Sequence, residues 1–185
     1  MGDVRVTPDI FLEFAGGYLR PLKLEDTHPG YVSGLNDPEV NRYLEAPKRA
    51  VQTEQSVAEF VRHNQQSDSG VLFGIWLNGV HHHCGTTRLH GIDFYHKTAH
   101  IGICLFDKSA WGKKLGYKAA EAVTRWAFAS LKLRWVEAGA NAENIASQKT
   151  FLAAGYEWIY DIPGKYILEG KPTTVKVYVA RNSCN

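Results

Sequence analysis

One short stretch, WGKKLGYK at residues 111–118, has the composition of a phosphate-binding loop. It follows a strand-like run ending in ICLF and precedes apolar residues at helical spacing from Leu115 to Leu131. The first N–H groups of a helix lack internal partners and carry partial positive charge, which suits phosphate oxygens. Gly112 and Gly116 would let the backbone approach such a ligand closely. The adjacent cations are Lys113, Lys114 and Lys118. An ordinary charged loop before a helix remains the alternative, since neither GxGxxG nor GxxxxGK[ST] is present.

A second group, HHHC at residues 81–84, has the residue types of a metal site. Consecutive strand residues point to alternate faces, so at most two of these side chains could bind one ion. We therefore predict no metal. The cysteines at 84, 104 and 184 are odd in number and lack CxxC spacing, which argues against a disulfide framework and indicates a cytoplasmic location.

The composition is that of one globular domain: 185 residues, 44% hydrophobic and 22% charged. We expect a single domain over residues 1–185, with residues 1–8 as a flexible tail. The net charge of +2 and the lack of like-charge blocks argue against a nucleic-acid partner. No run approaches the roughly 20 apolar residues of a membrane span.

Helical and strand-like patterns are mixed along the chain, which predicts an α+β fold on one mixed sheet. Asp37 and Pro38 have the residue types of a helix start, and the helix is expected to reach Leu44. Thr53 should cap another helix, and Asn78-Gly79 predicts a hairpin turn. Strands are expected at residues 18–22, 71–77, 84–89, 99–106, 135–140, 156–162 and 175–180, and further helices at 115–131 and 144–153.

Five segments in this order resemble the GCN5-related N-acetyltransferases (GNAT), and more narrowly the RimJ/RimL-like branch. They are LRPLKLED (19–26), LNDPEVNRYLE (35–45), CGTTRLHGID (84–93), AHIGICLFDKSAWGKKLGYKAAEAV (99–123) and NAENIASQKTFLAAGYE (141–157). The resemblance implies the GNAT fold, with one central, mostly antiparallel sheet of about seven strands and about four helices. It also implies acetyl-CoA as donor, a primary amine as acceptor and direct attack in a ternary complex.

The same resemblance implies which residues hold acetyl-CoA. The main chain of Ile103, Cys104 and Leu105 would bind the pantetheine arm and polarise the thioester carbonyl. The pyrophosphate loop would be Trp111, Gly112, Lys113, Lys114, Leu115, Gly116 and Tyr117, with Asn144 and Phe151 also at the cofactor. Lys114 departs from the family pattern. We expect it at negative φ, with its ammonium either near phosphate or in solvent.

Two residues are candidates for proton transfer. His100 lies near the position of the family's general base, and an imidazole titrates in the range that suits this role. Ser147 stands three residues after Asn144, where the branch places a serine that could hold a water or donate to the sulfur. Phe151 replaces a tyrosine that acts as the acid in many relatives. An exposed strand histidine and a surface serine without a role are the alternatives.

For the acceptor, the resemblance suggests Tyr43 and Glu45 as one wall, and the predicted hairpin carrying Tyr95 and His96 as another. The run IDFYHK is similar to a segment of the amino-sugar acetyltransferase of pseudaminic acid biosynthesis, which favours a nucleotide-linked amino sugar. The alternatives are a protein N-terminal amine and a CoA-binding module without activity. A homodimer is also expected, since exposed strand edges often pair.

Overall fold

Eight strands form one sheet in the order β1-β2-β3-β4-β5-β6-β8-β7. The structure is a computed structural model that describes residues 9–79 and 82–182. The strands are β1 Leu12–Phe14, β2 Gly17–Pro21, β3 Gly70–Leu77, β4 His82–Asp93, β5 Thr98–Cys104, β6 Trp135–Asn141, β7 Glu157–Leu168 and β8 Lys171–Arg181. Neighbouring strands are antiparallel except β5 and β6. The predicted α+β class and mostly antiparallel sheet are confirmed.

The helices in the described ranges are α1 Pro29–Asn36, α2 Pro38–Asn41, α3 Glu45–Arg49, α4 Glu54–Gln65, α5 Leu115–Ala129 and α6 Ile145–Ala153. Two 3-10 turns lie at Leu24–Asp26 and Lys108–Ala110. The predicted caps are confirmed, because the Asp37 and Thr53 side chains accept hydrogen bonds from Glu39 N–H and Ser56 N–H. The helix predicted from Asp37 to Leu44, however, ends at Asn41.

Helix α1 was not predicted, because its sequence PGYVSGLN carries two glycines, which cost roughly 1 kcal/mol each in a helix. Tertiary contacts overcome this low propensity. Tyr31 and Leu35 are buried, and the His28 ring caps the first turn by accepting from the Tyr31 N–H at 3.2 Å. Gly34 is required by close packing, since a Cβ there would lie 2.6 Å from the Phe106 carbonyl oxygen.

Each face of the sheet carries its own hydrophobic core. On one face α5 and α6 pack, with Ala119, Val123 and Phe151 buried against the strands. On the other face the segments from α1 to α4 cover a smaller core that includes Tyr31, Val61 and Phe106. Side chains alternate along β5, so that Ala99 and Ile101 join the first core and His100 lies on the second face.

Several predicted strands and helices differ in their bounds from those of the structure, and one strand was missed. Strand β1 makes eight strands rather than about seven, and its three residues are too few to show an alternating pattern. Strands β7 and β8 extend to the turn at Glu169-Gly170, both of which have positive φ. The strand expected to reach Phe106 ends at Cys104, and the helix expected to reach Leu131 ends at Ala129. The predicted tail, residues 1–8, lies outside the described residues.

No helix in the described ranges is long and apolar enough to cross a membrane.

Candidate functional site

Strands β5 and β6 separate halfway along their length. Their parallel pairing covers only Thr98, Ala99 and His100 of β5, opposite Trp135, Val136 and Glu137 of β6. Strand β5 continues beside β4 to Cys104, while β6 continues beside β8 to Asn141. Within residues 9–79 and 82–182, the main-chain groups of β5 beyond His100 that face β6 therefore have no strand partner. They can hydrogen-bond an extended ligand inserted into the gap, as the sequence predicts for Ile103 and Cys104.

Leu105 is in a different position. Its carbonyl oxygen accepts a hydrogen bond from the indole Nε1 of Trp111 at 2.9 Å. This bond anchors the start of the glycine-bearing loop to the end of β5. The Trp111 ring is itself 40% exposed beside the loop.

The loop from residue 111 to the start of α5 presents unpaired N–H groups. Within the described ranges, the backbone N–H groups of residues 112–117 have no hydrogen-bond acceptor outside α5, and no side chain caps the helix. Gly112 has φ +73°, and a Cβ on it would meet no atom within 4 Å. A Cβ on Gly116 would approach only Thr150 and Ile103, at 3.5–3.8 Å. The residues present thus fit a bound pyrophosphate.

The expectation of negative φ at Lys114 is wrong. Lys114 is the N-cap of α5 with φ +64°, in the left-handed region that favours glycine. The lysines and glycines of the loop do not indicate the φ angle of Lys114, because this angle depends on how the loop joins α5. The Lys118 Nζ donates to the Ala15 carbonyl at 2.9 Å. The side-chain ammonium groups of Lys113 and Lys114 form no ion pair or hydrogen bond with the described residues.

A cavity of about 400 Å³ opens on the second face of the sheet, where β5 and β6 separate. Its floor includes His90, His100 and Gly102 from β4 and β5, and Glu137, Gly139 and Asn141 from β6. Its walls include Arg42, Tyr43, Glu45 and Lys48 on one side and Lys165 and Tyr166 of β7 on another. The structure thus brings the predicted residues Tyr43, Glu45 and His100 together.

His100 is bordered on three sides. Glu137 is its partner in the last β5–β6 pair, with Glu137 Oε1 3.6 Å from His100 Nδ1. His90, its partner on β4, stacks on the ring at a centroid distance of 5.6 Å. A Cβ on Gly91 would lie 3.3 Å from His100 Cδ2. Burial, with smaller effects of the Arg88 and His100 charges, lowers the pKa of His90 to about 4, so His90 is neutral at pH 7.

The other predicted cofactor residues lie on or beside α6. The Asn144 side chain caps this helix by accepting from the Ser147 N–H at 3.1 Å, and the Ser147 hydroxyl has no hydrogen bond within the described residues. Phe151 is only 1% exposed and packs on the Tyr156 and Tyr178 rings. The structure therefore places Phe151 in the core and not at the surface of the gap.

Two thiols are present in the described part of the chain, Cys84 and Cys104. Burial raises the pKa of the Cys104 thiol to about 12 and that of the Cys84 thiol to about 11. Both are therefore protonated at neutral pH. A protonated thiol is a poor nucleophile, which agrees with direct transfer without a covalent enzyme intermediate.

Tyr95 and His96 do not line this cavity. They lie in the turn between β4 and β5, where Tyr95 is 85% exposed and Asp93 accepts a hydrogen bond from the His96 N–H. Conversely, five residues that were not predicted line the cavity: His90, Glu137, Asn141, Lys165 and Tyr166. Alternation along β6 would have placed Glu137 and Asn141 on one face, but the sequence did not show which strands flank β5.

The described ranges contain no cluster of three or more metal-ligating side chains. Two of the histidines in the HHHC run point to different environments. His82 pairs with Asp107, whereas His83 is buried against Trp76, Tyr31 and Phe106. His81 lies outside the described residues.

Comparisons with known proteins agree with this geometry. The sequence matches the family model described as "Acetyltransferase (GNAT) domain" over residues 18–157. Among curated proteins no significant match was found.

Solved structures share the fold at low sequence identity. RimL, an alpha-N-acetyltransferase of a ribosomal protein, in complex with coenzyme A, has a TM-score of 0.84 at 17% identity, covering 95% of this chain and 100% of RimL. Spermidine N-acetyltransferase from Vibrio cholerae, with CoA and spermine, has a TM-score of 0.81 at 16% identity, covering 92% and 98%. The microcin C7 self-immunity acetyltransferase MccE, with acetyl-CoA and AMP, has a TM-score of 0.79 at 17% identity, covering 91% and 94%.

Proposed function

Because the chain belongs to the GNAT acetyltransferase family and is an acetyl-CoA-dependent N-acetyltransferase, we propose that its acceptor is the primary amine of a nucleotide-linked amino sugar. The observation that carries this proposal is the charge of the cavity wall. Lys48 and Lys165 line the cavity from α3 and β7. The Lys48 Nζ donates to the Arg42 carbonyl at 3.1 Å and the Lys165 Nζ lies over the Tyr166 ring, but neither has an acidic partner among the described residues. Phosphates of a nucleotide would supply the missing anions.

The aromatic residues of the wall fit the same acceptor. Tyr43 and Tyr166 line the cavity, and each ring already has a cation beside it, Arg42 for Tyr43 and Lys165 for Tyr166. A nucleobase could stack on either ring while its phosphates reach the cations. MccE, which shares the fold, has been solved with AMP.

In the proposed reaction the amine enters the cavity above the gap between β5 and β6. His100 takes the amine proton as the nitrogen attacks the thioester carbonyl, and free N–H groups of β5 stabilise the charge on the carbonyl oxygen. The unpaired N–H groups of residues 112–117 bind the pyrophosphate of acetyl-CoA. Ser147, whose hydroxyl has no hydrogen bond within the described residues, donates to the departing sulfur or holds a water that does so.

A polyamine is a weaker candidate, because the cations in the cavity lining (Arg42, Lys48 and Lys165) outnumber its carboxylates (Glu45 and Glu137). A protein N-terminal amine is the alternative to the amino sugar, in line with the fold shared with RimL.

A cytoplasmic location and a homodimer are further parts of this proposal. β1 and β7 are the edge strands of the sheet, where a second copy could pair.

The test is release of free CoA thiol with nucleotide amino sugars, N-terminal peptides and spermidine as acceptors. Lys48→Glu and Lys165→Glu should each raise KM for a nucleotide amino sugar about tenfold with little change in kcat, because each loses one phosphate contact. Lys23→Glu, an exposed lysine outside the cavity lining, is the matched control. Equal KM values for the cavity variants and the control would overturn the phosphate assignment.

A further inference from the structure

We propose that Glu137 is a positioning residue for acetyl transfer, whose carboxylate holds the His100 imidazole in the Nδ1–H tautomer so that Nε2 faces the acceptor amine. The inference deepens the proposed function and depends on its assignment of His100 as the base. It concerns a residue on β6 that no sequence pattern indicated.

The position of Glu137 follows from the sheet register. Glu137 and His100 form the last pair of β5 and β6 before the strands separate. Both side chains lie on the cavity side, and Oε1 lies 3.6 Å from Nδ1. This distance is that of an ion pair and is longer than a hydrogen bond. A carboxylate beside Nδ1 stabilises a proton on that nitrogen electrostatically.

The remaining neighbours of the ring restrict how it can turn. His90 stacks on one ring face with an interplanar angle of 21°. Gly91 packs close to Cδ2, where a side chain would come within 3.3 Å. With Nδ1 beside Glu137, the other ring nitrogen is left as the proton acceptor in the cavity.

Glu137 differs from the other charged groups around the cavity, because its carboxylate lies beside His100. The titratable groups that line the cavity with His100 are His90 of β4, Glu137 of β6, Arg42, Glu45 and Lys48 around α2 and α3, and Lys165 of β7, while Arg88 of β4 acts on His90. The Glu45 carboxylate is paired with Arg49 at 2.7 Å. Glu137 is therefore the carboxylate available to compensate the positive charge that His100 acquires.

The step conserves atoms and charge. The amine nitrogen forms a bond to the acetyl carbonyl carbon, and the C–S bond breaks with its electron pair leaving on the CoA sulfur. The amine proton moves to His100 Nε2, which gives an imidazolium beside the Glu137 carboxylate. That proton then passes to the thiolate or to solvent, which restores the neutral ring.

A tautomer measurement tests the proposal without turnover. In protein labelled with ¹⁵N-histidine, the ring nitrogen shifts distinguish Nδ1–H from Nε2–H, and the His100 signals are identified by their loss in His100→Ala. We expect the Nδ1–H tautomer in the native protein and a mixture in Glu137→Gln. Glu157→Gln, a strand glutamate outside the cavity lining, should leave the signals unchanged. An Nε2–H tautomer in the native protein, or no change in Glu137→Gln, would overturn the proposal.

Kinetics give an independent readout. Glu137→Gln should lower kcat about 10- to 100-fold with KM within about twofold, less than the about 10⁴-fold loss known for a buried Asp–His pair. In the His100→Ala background the same change should cost less than about twofold, because Glu137 acts through His100. An undiminished loss in that background would contradict the positioning role. If no amine is acetylated but the His100 tautomer changes in Glu137→Gln, the contact between Glu137 and His100 is supported and the proposed function is wrong.

Discussion

His28 and His83 determine each other's protonation, although both lie outside the cavity lining. His28 Nδ1 accepts from the Tyr31 N–H, so its proton is on Nε2, which donates to His83 Nδ1 at 3.2 Å. The His83 proton is then on Nε2, a buried atom without a partner among the described residues. Burial, reinforced by the charge of His28, lowers the pKa of His83 to about 3. The ring therefore remains neutral inside its aromatic surroundings.

Acid should destabilise the fold through His83. Its folded pKa of about 3 lies below the unfolded value near 6.5, so the unfolded state binds the proton first. The stability it contributes is complete above about pH 6.5 and is lost as the pH falls towards 3. Between pH 7 and 5 the native protein should lose roughly 1–2 kcal/mol more than His83→Phe in urea denaturation.

His63→Gln is the control for this experiment, because His63 is exposed on α4. It should follow the native protein at both pH values. A His83→Phe variant with the native pH dependence would show that His83 is not the group responsible.

Lys114 has a backbone conformation that favours glycine and a charge that favours phosphate. Lys114→Gly should raise the free energy of unfolding by about 0.5–1 kcal/mol, because it relieves the strain at φ +64°. Lys114→Gln keeps the strain and removes only the charge. If the ammonium contacts phosphate, both variants should bind CoA a few-fold more weakly, with less dependence on salt. Urea denaturation and titration calorimetry at low and high salt measure the two effects.

Unchanged CoA affinity in both variants would show that the Lys114 side chain points to solvent. A lower free energy of unfolding in Lys114→Gly than in the native protein would show that the backbone of Lys114 is not strained.

Among the secondary-structure elements, β5 is the one on which the site depends. It pairs with β4 from Thr98 to Cys104 across one bulge, while β6 separates from it after His100, so this strand borders both the cofactor gap and the cavity. A Cβ on Gly102 would meet no atom within 4 Å, because the residue faces this open space. The protein therefore has room for a side chain at this position. That side chain would, however, occupy the space of a ligand lying along the strand.

Gly102→Leu should consequently leave the fold intact and obstruct the reaction. We expect Tm to change by no more than about 2 °C and kcat/KM to fall more than about tenfold, with Gly102→Ala in between. Thermal denaturation and the thiol assay check the two parts. Full activity in Gly102→Leu would show that neither substrate binds against this position.

The elements differ in how far the sequence predicts them. The Thr53 and Asp37 caps, the Asn78-Gly79 turn and the apolar stripe of α5 are local signals, and all are confirmed. Helix α1 could not be predicted, since Gly34 is favoured only by contact with the distant Phe106. Glu137 was missed for a similar reason, because its role depends on which strand pairs with β5. Tyr95 and His96 were expected at the acceptor, but neither is among the residues that line the cavity.

At the scale of the whole molecule, two layers of helices enclose the sheet and the cavity lies where α2, α3 and β7 meet over the gap between β5 and β6. Arg42 joins these parts, with ion pairs to Glu143 before α6 and to Glu169 in the β7–β8 turn. The cavity wall is thus linked through Arg42 to the segment before α6 and to the β7–β8 turn. Ligand binding at the acceptor site or the cofactor site should stabilise the entire domain.

Acetyl-CoA should therefore raise the melting temperature. At about 100 times its Kd it would add about 2.7 kcal/mol to the free energy of unfolding, which corresponds to about 5–10 °C in Tm for a chain of this length. Differential scanning calorimetry with and without acetyl-CoA measures the shift, and acetate alone is the control. No shift at saturating acetyl-CoA would contradict the assignment of the loop at residues 111–117 as its pyrophosphate site.

The most direct test of the proposed function is the thiol-release assay on matched acceptors with acetyl-CoA as donor. We predict that a nucleotide-linked amino sugar is acetylated with a kcat/KM at least about tenfold above that of N-terminal peptides and spermidine. The same sugar without its nucleotide should be a poorer acceptor, because Lys48 and Lys165 lose their anionic partner. Preferential acetylation of peptides or spermidine, or no thiol release with any amine, would contradict the proposed function.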